Sequence, residues 1–316
     1  MSSSLVSIIM ITYGHEKFIQ QAVEGVLMQE CDFDIELIIA DDCSPDSTGE
    51  IVTSIIENYP RGAWIKYIKH EKNIGMMPNF IFALQQCQGK YIALCEGDDY
   101  WTDPLKLQKQ VDFLVANKDY SLCFTRFKTL QQNTNTITED SNTGYFEEKD
   151  LNVEFDFEIF AKGWHVGTQT LVFRKEMFDS DVVHNYKYFR DVHLFTELLK
   201  NGKGTCLNFF GAIYRLHDGG IHSSIDYLNT LKIGTLCYKE LYCKNNNINA
   251  LRLKYYNFQN EYFKVLVQKS KFRPAIFNLI LFFLKENKSI ILKDGLLYLC
   301  RNIYTKSKQK MKLFLK

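Results

Sequence analysis

Over the first 130 residues, short apolar runs alternate with segments whose apolar residues recur every three or four positions, and this constrains the fold more than any other feature of the chain. Leu5–Thr12 (LVSIIMIT) reads as a buried strand, and Phe18, Ile19, Ala22, Val23, Val26 and Leu27 mark a helix. Ile35–Ala40 is a second strand that ends at Asp41-Asp42. Ile51, Val52, Ile55 and Ile56 mark a second helix after the Ser44-Pro45-Asp46-Ser47 turn. Trp64–Lys69 is a strand, and Pro78–Cys87 is a helix opening on proline, as first-turn positions allow. Tyr91–Cys95 is a strand, and the next helix is expected to start at Asp103-Pro104 with Asp103 as its N-cap. Strands joined through helices must run parallel, so the order implies an α/β chain with a mainly parallel sheet flanked by helices. Ligands of such sheets sit at the carboxyl ends of the strands.

Those ends carry the informative residues. The first strand runs into Thr12-Tyr13-Gly14-His15-Glu16, the second into Asp41-Asp42-Cys43-Ser44, and the fourth into Glu96-Gly97-Asp98-Asp99. Six carboxylates thus share one edge if Glu16 is counted. Like charges gathered this way are costly unless a cation joins them. A divalent metal carrying a diphosphate suits the set, and hard oxygen ligands suit Mg²⁺ or Mn²⁺. Other nucleotide-binding motifs are missing. The first strand is followed by one glycine rather than G-x-G-x-x-G, no G-x-x-x-x-G-K-[ST] occurs, and no glycine- and arginine-rich loop stands near the start. Phosphates must therefore be held by metal and side chains.

Four segments in order, VSIIMITYGHEKFIQQAVEGVLMQ, LIIADDCSPDST, NIGMMPNFIFAL and YIALCEGDDYWTDPLKLQKQVDFL, resemble family 2 glycosyltransferases over residues 5–125. A weaker block, FRDVHLFTELLKNGKG and YRLHDGG, lies between 189 and 220. The resemblance implies a GT-A fold, which is Rossmann-like, with a helical C-terminal extension. It divides the chain into a catalytic domain at 1–228, with a nucleotide-sugar-binding half at 1–125 and an acceptor-binding half at 126–228, and a helical basic region at 229–316. It further implies inverting, metal-dependent transfer from a nucleotide sugar, with UDP as the expected carrier, to a glycan or lipid-linked glycan in surface polysaccharide synthesis. Tyr13 resembles the residue that stacks on the base, with Thr12 and Glu16 in the same loop. Asp41 and Asp42 resemble the acidic pair that accepts from the base, and the sequence does not separate them. Asn73, Gly75 and Asn79 match a segment that closes over the nucleotide. Asp98 and Asp99 resemble the metal- and ribose-binding carboxylates of the DxD motif, whose first position is here Glu96. His217 resembles a loop histidine near the metal, Arg215 stands where it could face phosphate, and Gly219-Gly220 would let that loop move. Asp191 resembles the catalytic base; a helix N-cap is the plainer reading of that residue. Trp164 and His165 either line the acceptor pocket or pack. His15, His70, His184, His193 and His222 show no metal-ligand spacing. The departure at Glu96 leaves a second reading, a non-catalytic sugar-nucleotide- or glycan-binding subunit of the same fold.

The remaining sequence is less specific. Residues 131–158 are polar and read as a surface loop, Thr168–Arg174 as a strand, and Asp191–Lys200 as a helix stopped by Asn201-Gly202. From about residue 224 the chain reads as helical and basic. The formal net charge of +1 hides −8 over residues 1–110 and +14 over 231–316. No basic field spans the chain, so nucleic acid is not an expected partner. Arg301–Lys316 carries six basic and no acidic residues among apolar ones. That pattern suits docking on an anionic membrane surface, on the catalytic domain, or on a second subunit of a homo-oligomer. The nine cysteines form no CxxC pair and read as reduced thiols, and MSSSLVSIIM lacks signal-peptide character. No apolar run reaches about 18 residues, and Ala275–Leu284 is too short to span a membrane. A cytoplasmic protein, peripheral at the inner face of the cell membrane where the tail docks, is the expectation.

Overall fold

The computed structural model describes residues 5–220 and 226–269. The apolar run Ala275–Leu284 and the basic run Arg301–Lys316 lie outside the described residues. The chain divides into two compact units, Met1–Gly220 and Ile221–Lys316.

The first unit is built on the expected alternation. Strand β1 (Val6–Thr12) is flanked by two parallel partners, β2 (Ile35–Asp41) and β4 (Tyr91–Leu94), with β3 (Ile65–Lys69) parallel on the far side of β2. A strand covered on both faces needs a continuous apolar run, and Val6, Ile8, Ile9 and Met10 are all buried. Between these strands run α1 (Ile19–Leu27), α2 (Thr48–Asn58) and α3 (Met76–Gln86). Helix α1 buries Ile19, Ala22, Val23, Val26 and Leu27, a face at helical spacing. It passes so close to the short strand β5 (Tyr100–Trp101) that a Cβ on Gly25 would lie 2.9 Å from the Trp101 backbone nitrogen.

Beyond β4 the sheet becomes mixed. Helix α4 (Lys106–Ala116) leads into β6 (Tyr120–Gln131), followed by β7 (Thr136–Glu139), β8 (Asn152–Phe155), the short helix α5 (Phe157–Ala161), β9 (Val172–Arg174), α6 (Asp191–Asn201) and β10 (Lys203–Leu216). The sheet order is β3-β2-β1-β4-β9-β6-β10-β5, with β7 on β6 and β8 on β10. Strand β9 is antiparallel to both β4 and β6, and β10 is parallel to β6. Thus β1, β2, β3, β4, β6 and β10 all point the same way. The ends of β1, β2, β4 and β10 therefore meet on one edge although 200 residues separate the first from the last.

Several local expectations are corrected. Helix α3 begins two residues before Pro78, behind Gly75 at φ 94°. Asp103 is not the N-cap of α4; Leu105 holds that position, and Asp103 Oδ1 accepts from the Leu105 N–H in the preceding turn. The polar stretch 131–158 is not a plain loop, because it contains β7 and β8. Thr168–Thr170 forms a single 3₁₀ turn, leaving only Val172–Arg174 as strand.

In the second unit, the described residues form two helices, α7 (Tyr227–Lys244) and α8 (Asn249–Gln268). Leu228, Leu231, Phe263, Val265 and Leu266 form their shared apolar cluster. Gly234 lets them approach, since a Cβ there would lie 2.3 Å from the Phe258 ring.

Candidate active site

Two groups of side chains gather at the shared sheet edge. The first holds the ends of β1 and β2. Gly14, at φ 70°, turns the chain after Tyr13, which is 49% exposed. The turn is tied to the loop after β2 by bonds from Gly14 N to Ser44 Oγ (2.9 Å), His15 N to Thr48 Oγ1 (2.9 Å) and Glu16 N to Asp46 Oδ2 (3.0 Å). Glu16 answers by accepting from Ser47 N. Asp41 is fully buried and accepts from Ser44 N and from the Tyr67 hydroxyl at 2.6 Å. Asp42 accepts from Ile74 N at 2.7 Å and Gly75 N at 2.9 Å, which fixes the Asn73-Ile74-Gly75 turn over the end of β2. Asn73 itself is exposed. Asn79 is a bracket: its amide donates to the Ala40 carbonyl, and its Oδ1 pairs with His70 Nε2 at 2.9 Å.

The second group surrounds the turn after β4. Gly97 lies so tightly against β1 that a Cβ would sit 2.7 Å from Thr12 Oγ1 and 3.0 Å from His15 Nδ1. Asp98 Oδ2 is 3.2 Å from His217 Nε2 and 3.8 Å from His15 Nε2. Asp99 is buried and accepts from the Arg215 N–H at 2.7 Å, which fastens the turn to the end of β10. Arg215 does not face an open phosphate site. Its Nε donates to the Asp98 carbonyl, and Nη1 and Nη2 donate to Gln132 and Gln21. Its guanidinium also lies 4.8 Å from the Phe18 ring and 5.0 Å from that of Tyr100.

The electrostatics follow from burying three carboxyls together. Burial raises Glu96 to about 8, with help from the charges of Asp98 and Asp191. Burial also lifts Asp99 well above the usual carboxylate range, and Asp98 and Glu96 push it further. Burial opposes ionisation of Asp98 too, but the His217 hydrogen bond and the charges of His15 and His217 outweigh it and hold this carboxyl low. Burial pulls His15 below the ordinary imidazole value despite Asp98. The Tyr214 phenol is raised by burial and by Asp99, Asp98, Glu96 and Asp191 in turn. Asp191 is the first residue of α6, exposed, with Arg190 rather than Asp191 as N-cap. Its charge nevertheless bears on both Glu96 and Tyr214.

The donor set fits a divalent cation. Glu96 Oε2 is buried with no hydrogen-bond partner among the described residues. With Asp98 and the His217 imidazole it offers two hard oxygens and one nitrogen. Among the described residues no group of three or more His, Cys, Asp or Glu side chains is placed to hold a metal ion by itself. That is expected where a diphosphate supplies the remaining oxygens. Asp99, expected beside them, instead has Oδ1 engaged with β10. Trp164 packs into an aromatic cluster with Tyr145, Phe146 and Phe155, and His165 packs on Phe127 at 5.0 Å. His15 and Tyr214 join the site without having been singled out by the sequence.

A mainly parallel, curled sheet flanked by helices is the GT-A fold. The family model for glycosyl transferase family 2 matches residues 7–181, more than half of the chain, and the chain belongs to this family. It is 34% identical over 218 residues to an uncharacterized protein of Mycobacterium tuberculosis (strain ATCC 25618 / H37Rv), covering 69% of this chain and 60% of that protein's length. It is 26% identical over 254 residues to the Escherichia coli UDP-Glc:alpha-D-GlcNAc-diphosphoundecaprenol beta-1,3-glucosyltransferase WfaP, covering 76% of this chain and 90% of WfaP. The crystal structure of S. aureus TarS 1-349 in complex with UDP-GlcNAc shares the fold at TM-score 0.59 and 18% identity, over 82% of this chain and 80% of that one.

Proposed function

We propose that the chain is an inverting, metal-dependent glycosyltransferase that moves a sugar from a nucleotide sugar to a glycan or lipid-linked glycan in surface polysaccharide synthesis. The observation that carries this reading is the unpartnered, buried Oε2 of Glu96 in the turn beyond β4 that also holds Asp98, with His217 Nε2 3.2 Å from Asp98 Oδ2. The charge of Asp191, at the start of α6, adds to the rise of Glu96. WfaP, named for a UDP-glucose donor and a diphosphoundecaprenol-linked acceptor, and TarS, bound to UDP-GlcNAc, support UDP as the carrier. WfaP likewise supports a lipid-linked acceptor.

Each residue then has a chemical task. Tyr13 offers an exposed ring on which a base stacks. Asp41, Asp42 and the Asn73–Gly75 turn shape the floor and wall beside it. Glu96, Asp98 and His217 would hold Mn²⁺ or Mg²⁺, which would offset the negative charge of the departing diphosphate. Asp191 takes the proton of the acceptor hydroxyl as its oxygen attacks the anomeric carbon from the face opposite the nucleotide. The bond to the diphosphate oxygen breaks, the electron pair leaves with the nucleoside diphosphate, and the configuration inverts. The α6 N-terminus favours a negative charge at this position, and Val192 N–H donates to Asp191 Oδ1 at 2.8 Å.

The test is a nucleotide-sugar panel with Mn²⁺, read as released nucleoside diphosphate. One donor should turn over. Asp191→Asn should lower turnover by about 10²–10⁴-fold, the usual worth of a general base, while UDP affinity stays at the wild-type value. Undiminished transfer in this variant would remove Asp191 from the chemistry. Binding without turnover across a broad acceptor panel would favour a non-catalytic subunit.

A further inference from the structure

The two imidazoles beside Asp98 differ in what holds them. His217 Nε2 is within hydrogen-bond distance of Asp98 Oδ2, at 3.2 Å. His15 Nε2 stops at 3.8 Å, beyond that range. Yet His15 is held rigidly. Its N–H donates to Thr48 Oγ1, and its carbonyl accepts from Phe18 N and Ile19 N at the start of α1. Its Nδ1 lies 3.1 Å from Thr12 Oγ1. Gly97 leaves just enough room for that edge of the ring, and the His217 ring stands edge-on at 6.2 Å. In the tautomer in which Thr12 donates to Nδ1, the proton is on Nε2, the nitrogen on the Asp98 side of the ring. The side chain is 16% exposed.

Its position supplies the ligand. His15 stands two residues after the base-stacking Tyr13 and beside Asp98. A nucleoside diphosphate whose base lies on Tyr13 and whose phosphates meet a cation at Asp98 must pass it. Phosphate oxygens are acceptors and need N–H donors. The cation expected to serve them, Arg215, has Nε, Nη1 and Nη2 all engaged with protein oxygens. We propose that His15 is a diphosphate-binding residue, donating from Nε2 to a phosphate oxygen of the nucleotide. This rests on the donor-site reading above. It adds a residue in direct contact with the leaving group.

Binding rather than turnover tests it. Calorimetry of the full chain with Mn²⁺ compares UDP and uridine, or GDP and guanosine should the guanine nucleotide be the one bound. His15→Ala should weaken the nucleoside diphosphate about tenfold, equivalent to about 1.4 kcal/mol, and leave the nucleoside unchanged. His15→Gln, whose amide nitrogen can reach the place of Nε2, should recover part of the loss. Equal weakening of nucleotide and nucleoside would make His15 a prop for the Tyr13 loop and overturn the proposal. So would unchanged binding of the nucleoside diphosphate in His15→Ala. If the wild-type chain binds neither UDP nor GDP, the donor-site reading falls and this inference falls with it.

Discussion

Glu96 shows what a single side chain can report. Its carboxyl is buried beside Asp98, its Oε2 has no partner among the described residues, and its pKa rises from 4.5 to about 8. A group raised in the folded state favours folding in its protonated form. That contribution is complete below pH 4.5 and is lost as pH rises through about 8. With metal chelated, wild-type melting temperature should therefore fall between about pH 5 and pH 9 relative to Glu96→Gln, whose amide carries no charge to desolvate. The difference should widen as pH rises through this window, and Mn²⁺ should shrink it by pairing with the carboxylate. Parallel melting profiles in the two proteins would show that Glu96 is not charged against a cost. Glu96 and Asp98 stand out in the sequence as the carboxylates of a strand end, whereas His217 is suggested only by the family resemblance. His15 and Tyr214 do not stand out, since their importance depends on β1, β4 and β10 ending at the same level. Residue types also conceal commitment: Arg215 reads as a phosphate ligand, but the folded chain surrounds it with oxygens of Asp98, Gln132 and Gln21.

At the scale of elements, legibility followed burial. Strands β1, β2 and β4 are covered on both faces, so their apolar runs stand out. Strand β7 is exposed at all four positions, Thr136–Glu139, and leaves no apolar signal. Strand β10 shifts register against β6 between Leu207 and Ala212, which interrupts any alternation of faces. Close approach of elements leaves a different trace, a glycine within a helix. Gly25 in α1 would place a Cβ 2.9 Å from the Trp101 nitrogen and 3.0 Å from its carbonyl oxygen. Gly25→Ala gains helix propensity of roughly 0.5–1 kcal/mol, but backbone cannot yield as a side-chain tip can, and overpacking costs about 1–3 kcal/mol. The clash should win, lowering the melting temperature by roughly 4 °C. Gly144→Ala, at a site with no atom within 4 Å, is the control and should leave it unchanged. A Gly25→Ala protein as stable as wild type would mean that α1 can shift on β5, and with it Gln21 and the Arg215 contacts.

Across the whole molecule, the charge division becomes meaningful once the site is placed. The net −8 of residues 1–110 includes the carboxylates at the ends of β1, β2 and β4, where a cation and a diphosphate would offset them. The net +14 of residues 231–316 has its most basic run at Arg301–Lys316, which carries six basic residues and no acidic one. Each Lys or Arg near an anionic bilayer contributes about 1 kcal/mol, so six can hold a chain at the surface without a membrane span. No helix among the described residues is long and apolar enough to cross a membrane. A lipid-linked acceptor would reward such attachment by keeping the enzyme where its substrate diffuses. The full chain should therefore sediment with vesicles containing phosphatidylglycerol and stay in solution with vesicles of phosphatidylcholine alone. Raising salt to about 0.5 M should release it, since surface charge is screened within a few ångströms there. Removing residues 301–316 should abolish sedimentation while UDP affinity is retained, because the donor-site residues all lie between Thr12 and His217. Equal sedimentation with neutral vesicles, or no change on removing the run, would assign the positive charge to a protein partner or a second copy of the chain. Cross-linking of the full chain against the shortened one would then separate those two.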